Sequence, residues 1–573
     1  MNRLYFGDNL DVLRGKGIKD ESVDLIYLDP PFNSNSTYNI LFKTPKGQRS
    51  AAQVTAFEDT WRWGPEAEIE FNELLRGPST SASELLQSLR SLLGESDMMA
   101  YLTMMASRLV ELRRVLKPQG TLYLHCDPTA SHYLKILLDG IFGFGNFRNE
   151  ISWRRSQPKS HTKINFPNCR DVILRYSKSE KAKFFKVYGE HDPEYIEKFY
   201  RYSDSKGRYR HGDLTNPNKD RPNLTYEFLG VTRVWRWTKE RMKKAHADGL
   251  IYQSRPGAVP QFKRYLNQLQ GQPISDDWDD IEHLHGANSE VLGYPTQKPL
   301  ALLERIIRAS SSEGDVVLDP FCGCGTAVHA AQKLNREWIG IDVTHLAIAL
   351  IEKRIRDGFP RARFSVYGTP ADIDGAADLS ARDKYEFQYW ACSLVNAQPY
   401  ADRKKGADGG IDGLIYFQDD GSTAKKIIVS VKGGRNISVQ MIRDLRGVLE
   451  REKASMALFV TLADPTRPMK DEALKAGYYT SPSGTNFQRI QILTIEGLLA
   501  TRETPKYPDL ASGGHTFRRT HIDHGVTSQA DLFSSPPQNL RVLSKSLVGT
   551  KRKAPIRVTE PRTQTKKARP AKI

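Results

Sequence analysis

Two short apolar runs lie almost three hundred residues apart, and each ends in a carboxylate and a tight turn. They are Leu25-Ile-Tyr-Leu-Asp29-Pro30-Pro31-Phe32 and Val316-Val-Leu-Asp319-Pro-Phe321-Cys-Gly323-Cys-Gly325-Thr326. Runs of this kind suit buried strands of a parallel sheet. In an open parallel sheet the carboxyl ends of the strands meet along one edge, and ligands bind there. Two such ends imply two ligands held side by side.

The rest of the chain divides by pattern. Residues 1 to about 150 alternate strand and helix: Leu25 to Leu28 reads as a buried strand, Met98 to Leu116 as a helix stopped by Lys117-Pro-Gln-Gly120, and Thr121 to His125 as the next strand. Alternation of this kind predicts a parallel α/β sheet. From about 151 to 290 Arg and Lys interleave with Trp and Tyr, as in Trp153-Arg-Arg155, Arg208-Tyr-Arg210 and Trp235-Arg-Trp237. This reads as a separate module for a nucleic acid, with each of Trp235 and Trp237 more readily taken as a residue of its core. The α/β pattern returns from Tyr294 to about 368, a second small α/β unit spans 380 to 500, and 501 to 573 is polar, basic and expected to be disordered.

A net charge of +17 favours a polyanionic partner, most simply nucleic acid. Five scattered cysteines suggest neither a disulfide framework nor a zinc site, which fits a reducing, cytoplasmic compartment. No apolar run approaches the length of a membrane span, and the first residues lack an apolar signal core.

Gly323 and Gly325 let backbone approach a ligand closely, and the helix expected from Ala327 to Leu334 would offer its N-terminal N–H groups to an anion. The next apolar strand, Trp338-Ile-Gly-Ile341, ends in Asp342, whose carboxylate could accept hydrogen bonds from ribose hydroxyls. The segment lacks the full Gly-x-Gly-x-x-Gly of nicotinamide enzymes. It resembles instead the Asp-Pro-Phe-x-Gly-x-Gly-Thr turn of the DNA amino-methyltransferases. The order of the two segments, with Asp-Pro-Pro-Phe first, resembles their circularly permuted beta class. Cys324 stands where that family usually has Ser.

The resemblance spans roughly residues 1 to 368, with the family's target-recognition insert at 151–290, and implies a Rossmann-like fold that binds S-adenosylmethionine. The cofactor would meet Asp319, Phe321, Gly323, Gly325, Thr326 and Asp342. Tyr294-Pro-Thr296-Gln-Lys298 resembles the family segment near the cofactor's methionine end, where Lys298 could pair with its carboxylate and Thr296 could donate a hydrogen bond. Gly7-Asp8-Asn9-Leu resembles the pre-catalytic segment; Asp8 would meet the cofactor's adenine amino group or cap a helix.

The chemistry implied for Asp29-Pro30-Pro31-Phe32 is transfer of a methyl group to an exocyclic amine. The lone pair of adenine N6 is delocalised into the ring. A carboxylate and a carbonyl that accept its two hydrogens localise that lone pair for attack. Asp29 and the Pro30 carbonyl would do this, Pro31 would stiffen the turn, and Phe32 would stack on the base. The base must leave the duplex to reach such a site. The Asp-Pro-Pro form favours adenine N6, with cytosine N4 the alternative.

A second candidate site follows. Gly410-Ile411-Asp412-Gly413 precedes one strand, and the next, Lys426-Ile-Ile-Val-Ser430-Val431-Lys432, carries an x-x-Lys. This resembles the Mrr-like restriction endonucleases of the PD-(D/E)XK superfamily. Asp412 would bind a metal ion such as Mg²⁺, Lys432 would orient the attacking water, and Glu386 could add an acid. Ser430 stands where Glu or Gln is usual and is a weak Mg²⁺ ligand. The whole therefore reads as an adenine-N6 methyltransferase of double-stranded DNA in a restriction–modification or defence setting, with a weak C-terminal nuclease. The rivals are a solitary methyltransferase whose C-terminal fold only holds DNA, a methyltransferase of RNA or a protein amide, and a DNA-binding protein without activity. A homodimer, or a separate restriction or motor subunit, is left open, since no P-loop is present.

Overall fold

A computed structural model describes residues 2–31, 36–43, 49–59, 61–77, 80–158, 164–285, 288, 290–292, 294, 296–400, 409–417, 419 and 425–508. Phe32 and the basic tail from 509 onward lie outside them. Every described residue belongs to a single compact unit.

The first sheet has nine strands: β1 (Asn2–Phe6), β2 (Val23–Leu28), β3 (Leu116–Cys126), β4 (Phe147–Arg154), β5 (Arg170–Ser177), β6 (Asp277–Trp278), β7 (Val316–Asp319), β8 (Glu337–Asp342) and β9 (Phe364–Tyr367). Their spatial order is β6-β4-β5-β3-β2-β7-β8-β1-β9. The strands from β3 to β9 in that order are parallel, and β5 runs antiparallel to both neighbours. This is a doubly wound, Rossmann-like arrangement.

All six residues of β2 are buried, as expected of a strand with helices on both faces. β2 pairs directly with β7, Leu25 opposite Val317 and Ile26 opposite Leu318, so the two diagnostic turns leave adjacent strand ends. Buried Asp24 fixes that register by accepting the Val316 N–H at 3.0 Å.

The segment expected as a recognition module contains less separate structure than its composition suggests. β4 and β5 lie within 147–177 yet belong to the main sheet, because Ile151, Trp153 and Ile173 bury against its core. The boundary expected at 151 therefore moves C-terminally. The separate part is an antiparallel sheet of Tyr202–Asp204, Gly207–Asp213, Ile251–Tyr252 and Gln261–Tyr265, with the helix Lys239–Ala247. Trp235 is fully buried in this module's core, and Trp237 packs against it beneath Arg241.

The C-terminal sheet has five strands in the order β10 (Gln398–Pro399), β11 (Gly413–Phe417), β12 (Lys425–Lys432), β13 (Met456–Thr461), β14 (Ile490–Thr494). Alternation splits β12 between two cores: Ile427, Val429 and Val431 face one, Ile428 the other. Among the described residues no helix is long and apolar enough to cross a membrane.

Candidate active site

The edge where β2, β7 and β8 end carries a cleft of about 770 Å³, counting its mouth. Its walls include Asp29, Pro31, Tyr294, Thr296, Lys298, Asp319, Phe321, Gly323, Thr326 and Asp342. The two expected half-sites thus share one cavity. Gly325 is not part of the wall; it is the N-cap of the helix α1 (Thr326–Lys333).

The turn after β7 needs its glycines. Gly323 and Gly325 have φ of +48° and +73°, both in the left-handed region. A Cβ on Gly325 would lie 2.7 Å from Ile351 Cγ1, and one on Gly323 would lie 3.1 Å from Tyr294 Cε1. Asp342 closes the turn, its Oδ2 accepting the Gly323 N–H at 2.9 Å and its Oδ1 accepting both the N–H and the hydroxyl of Thr344 at 2.9 Å. Burial pushes its carboxyl pKa up to about 6. Burial also raises Asp319 well above the carboxylate range; its Oδ1 accepts the Phe321 N–H at 3.1 Å.

Thr326 and Cys324 are buried, and Arg354 on the helix α2 (His345–Gly358) backs them. Its Nη1 donates to the Cys324 carbonyl at 3.0 Å and to the Thr326 hydroxyl at 3.2 Å. Sequence reading missed Arg354. The signal was an arginine on the apolar stripe Leu350, Ile351, Ile355, where a cation must find buried acceptors.

Two residues expected at the cofactor have other partners. Lys298 is buried and its Nζ pairs with Asp29 Oδ2, a salt bridge between the two half-sites rather than a free ammonium for a ligand carboxylate. Asp8 is not part of the cleft wall. It caps the helix Asn9–Arg14 by accepting from the Leu10 N–H at 2.7 Å and pairs with Arg108 at 2.9 Å. Its neighbour Asn9, which sequence reading passed over, donates to the Pro320 carbonyl at 2.8 Å and so ties the N-terminus to the glycine turn. Thr296 lines the cleft with φ +61°, a strained value for a β-branched residue that costs on the order of 1–3 kcal/mol.

The residues present fit S-adenosylmethionine. Asp342 offers an acidic acceptor to a ribose hydroxyl, the glycine turn admits close approach, and Thr296 lines the same cleft.

In the C-terminal unit, Asp412 and Ser430 come together, their side-chain oxygens 3.4 Å apart, and Lys432 lies two residues along on the same face of β12. The Asp412 carboxylate already has protein donors. Asp412 Oδ2 accepts the Val431 N–H at 2.7 Å, and Oδ1 accepts the amide of Gln388 at 2.8 Å. Glu386 sits in the first turn of the helix α3 (Lys384–Leu394), and Gln388, two residues on, donates to Asp412. Among the described residues no group of three His, Cys, Asp or Glu could hold a metal ion. One carboxylate bonded to protein donors, a neutral hydroxyl and a lysine make a site poorer in charge than Mg²⁺ usually takes.

The two sites share a wall. α2, which backs the glycine turn, also packs against α3. Tyr389 and Tyr400 of the C-terminal unit join the apolar cluster of Tyr294, Cys324, Leu346 and Leu350.

Comparison with known proteins agrees with both halves. Residues 23–353 match the model of a family described as DNA methylase, covering N6 and N4 methyltransferases, and residues 379–490 match a restriction endonuclease model. The type II methyltransferase M.EcaI of Enterobacter cloacae is 36% identical over 361 residues, covering 62% of this chain and 70% of that protein. The Mod subunit of the type III restriction-modification enzyme StyLTI of Salmonella typhimurium is 30% identical over 359 residues, covering 59% of this chain and 50% of that protein. Among solved structures, the cytosine-N4-specific PvuII DNA methyltransferase covers 61% of this chain and 86% of its own, at 12% identity and a TM-score of 0.32.

Proposed function

This chain belongs to the N6/N4 DNA methylase family, and we propose that it methylates adenine N6 in duplex DNA within a restriction–modification or defence system. One observation carries the reading. Asp29 Oδ2 is held by Lys298, while Oδ1 is buried with no hydrogen-bond partner among the described residues. An acceptor fixed on one side and vacant on the other is what an exocyclic amine requires. S-adenosylmethionine, when bound, supplies the electrophilic methyl group.

The residues divide the work. Asp29 Oδ1 accepts one amine hydrogen and the Pro30 carbonyl the other, so the nitrogen lone pair points out of the base plane. Lys298 fixes the carboxylate orientation. Pro31 walls the cleft beside the base, which must leave the duplex to enter, and Phe32 is proposed to stack on it. Asp8 remains a candidate for the cofactor's adenine only if it gives up its cap. Nucleoside chromatography of genomic DNA from cells expressing the chain tests the assignment: N6-methyladenine is expected, and N4-methylcytosine alone would overturn the adenine reading.

Asp342 gives a pH dependence. Its folded pKa of about 6 lies above the ordinary carboxylate value, so the folded state favours the protonated form. Its contribution to stability is therefore full below roughly pH 4 and lost as pH rises through about 6. Ligand binding runs the other way, because the ionised group is the stronger acceptor for a ribose hydroxyl at the remaining position on Oδ2. Calorimetry should show S-adenosylmethionine affinity falling as pH drops through about 6 in the wild type and a flat profile in Asp342→Asn. A flat wild-type profile would separate Asp342 from the cofactor.

For the C-terminal unit the proposed role is holding DNA without cutting it. Asp412→Ala should leave the Val431 N–H and the Gln388 amide without their acceptor, at about 1–3 kcal/mol each where buried. A lower melting temperature with no Mg²⁺-dependent cleavage in either protein is the expected pair of results. Cleavage by the wild type that Asp412→Ala abolishes would restore the nuclease reading. A partner restriction or motor subunit is part of the same proposal, by analogy with the Mod relative, and co-purification would reveal it.

A further inference from the structure

A line of buried polar side chains crosses the sheet directly behind Asp29. The Tyr27 hydroxyl on β2 lies 3.0 Å from His125 Nδ1 on β3. His125 Nε2 lies 3.1 Å from Asp171 Oδ2 on β5, and Asp171 Oδ1 lies 3.1 Å from Arg155, the residue after β4. Tyr27, His125 and Asp171 are 2%, 0% and 2% exposed. Around them the layer is apolar: Leu25, Tyr123, Ile173 and Trp278 share the cluster, and Trp153 meets the imidazole edge-on at 5.7 Å.

We propose that His125 and Asp171 are positioning residues for methyl transfer, acting on the Asp29 strand end through Tyr27. The inference rests on the methyltransferase reading above.

Three arguments support it. First, the line is costly for a structural element. Each buried polar group must recover its desolvation through hydrogen bonds, and an apolar layer of the same volume would stabilise the sheet at least as well. Second, the line is continuous. Burial opposes ionisation of Asp171, but the hydrogen bond from His125 together with nearby positive charge, Arg155 and Lys298 included, outweighs it, and its pKa is lowered. The carboxylate can only accept, so His125 Nε2 carries the proton. Nδ1 is then left to the Tyr27 hydroxyl, 3.0 Å away. Burial, and then the charge of Asp29, hold the Tyr27 phenol well above its usual pKa, so the hydroxyl stays protonated. The phenol is thus tied to one nitrogen of a ring that Asp171 holds from the other side. Third, the line ends at the cleft. Tyr27 lines it, and Asp29 is the next residue on the same face. The far end reaches Arg155, in the connection that joins β4 to β5. A shift of β5 against β3 would thus be felt at the reacting group, where misplacement by about 1 Å can cost roughly 100-fold in rate.

The test uses the full chain, tritiated S-adenosylmethionine, and genomic DNA from cells lacking the enzyme. Tyr27→Phe and Asp171→Asn keep shape and volume. Both are expected to lower kcat at least about tenfold, within the range that misplacement produces, while KM for S-adenosylmethionine stays near wild type and stability falls by no more than one unsatisfied buried group costs. An unchanged kcat overturns the proposal. So does a parallel loss of kcat, cofactor affinity and melting temperature, which would mark the line as structural only. If Tyr27→Phe does not fold, Asp171→Asn decides, since it retains an acceptor for His125 Nε2–H but no charge. A wild type that transfers no methyl group to any DNA overturns the methyltransferase reading itself, a result distinct from active wild type with unaffected variants.

Discussion

Asp29→Ala is expected to reduce kcat for methyl transfer by roughly 10²–10³, about 3 kcal/mol, by analogy with removal of one preorganised hydrogen-bonding group from an oxyanion hole. The carboxylate has two functions in one group. Oδ1 is the vacant buried acceptor and Oδ2 is the partner of Lys298. Alanine removes both, and leaves a buried ammonium without its counter-charge, so some stability is lost with the activity. Asp29→Asn separates the effects. It is nearly isosteric and can keep one contact with Lys298, but its carboxamide offers an N–H where the amine needs an acceptor. Single-turnover transfer should fall in both variants, whereas S-adenosylmethionine binding by calorimetry should change only a few-fold in Asp29→Asn, because the glycine turn and Asp342 are untouched. Turnover near wild type in Asp29→Asn would remove Asp29 from the chemistry.

The catalytic half of this site was legible in the sequence because strand ends announce themselves. A short buried run followed by Asp-Pro-Pro or by Gly-x-Gly leaves few structural options, and β2, β7 and β8 formed where those runs stood. Their adjacency followed from the logic of parallel sheets and appears as the pairing of Leu25 with Val317. Long-range side-chain pairing was not legible. Lys298 read as a cofactor ligand because its loop resembles one, yet its partner lies 269 residues away. Asp8 carried a helix-capping signal and a motif signal together, and the local hydrogen bond to Leu10 is what forms. The edge of the recognition module was misplaced for a related reason: Trp153 and Arg155 look like a nucleic-acid surface by composition, but β4 is half buried, and only pairing with β5 puts Trp153 in the core. Arg354, His125 and Asp171 share one property. Each is a polar residue on an apolar face, and a sequence alone does not say which buried partner satisfies it.

Gly323→Val is expected to abolish measurable S-adenosylmethionine binding while the recognition module stays folded. A β-branched residue at φ +48° is strained by on the order of 1–3 kcal/mol, which by itself weakens binding roughly tenfold if relief of strain opens the turn. Sterics add to it. The new Cβ would meet the Tyr294 ring at 3.1 Å, and the γ-methyls extend further. Tyr294 is 9% exposed and packs with Cys324, Leu346 and Leu350, so the ring has little room to retreat. If the turn moves instead, the Gly323 N–H leaves Asp342 Oδ2, and the acceptor proposed for the ribose loses its anchor. Gly323→Ala should show the same defect in milder form, since it adds the strain and the 3.1 Å contact without the branches. Tyr389 and Tyr400 rest on the same cluster, so the disturbance should reach the C-terminal unit as faster hydrogen exchange in α3, whereas Lys239–Ala247 in the recognition module, which is built on a separate core, should exchange as in the wild type. Wild-type cofactor affinity in Gly323→Val would mean that the turn only links β7 to α1 and that the ligand lies elsewhere.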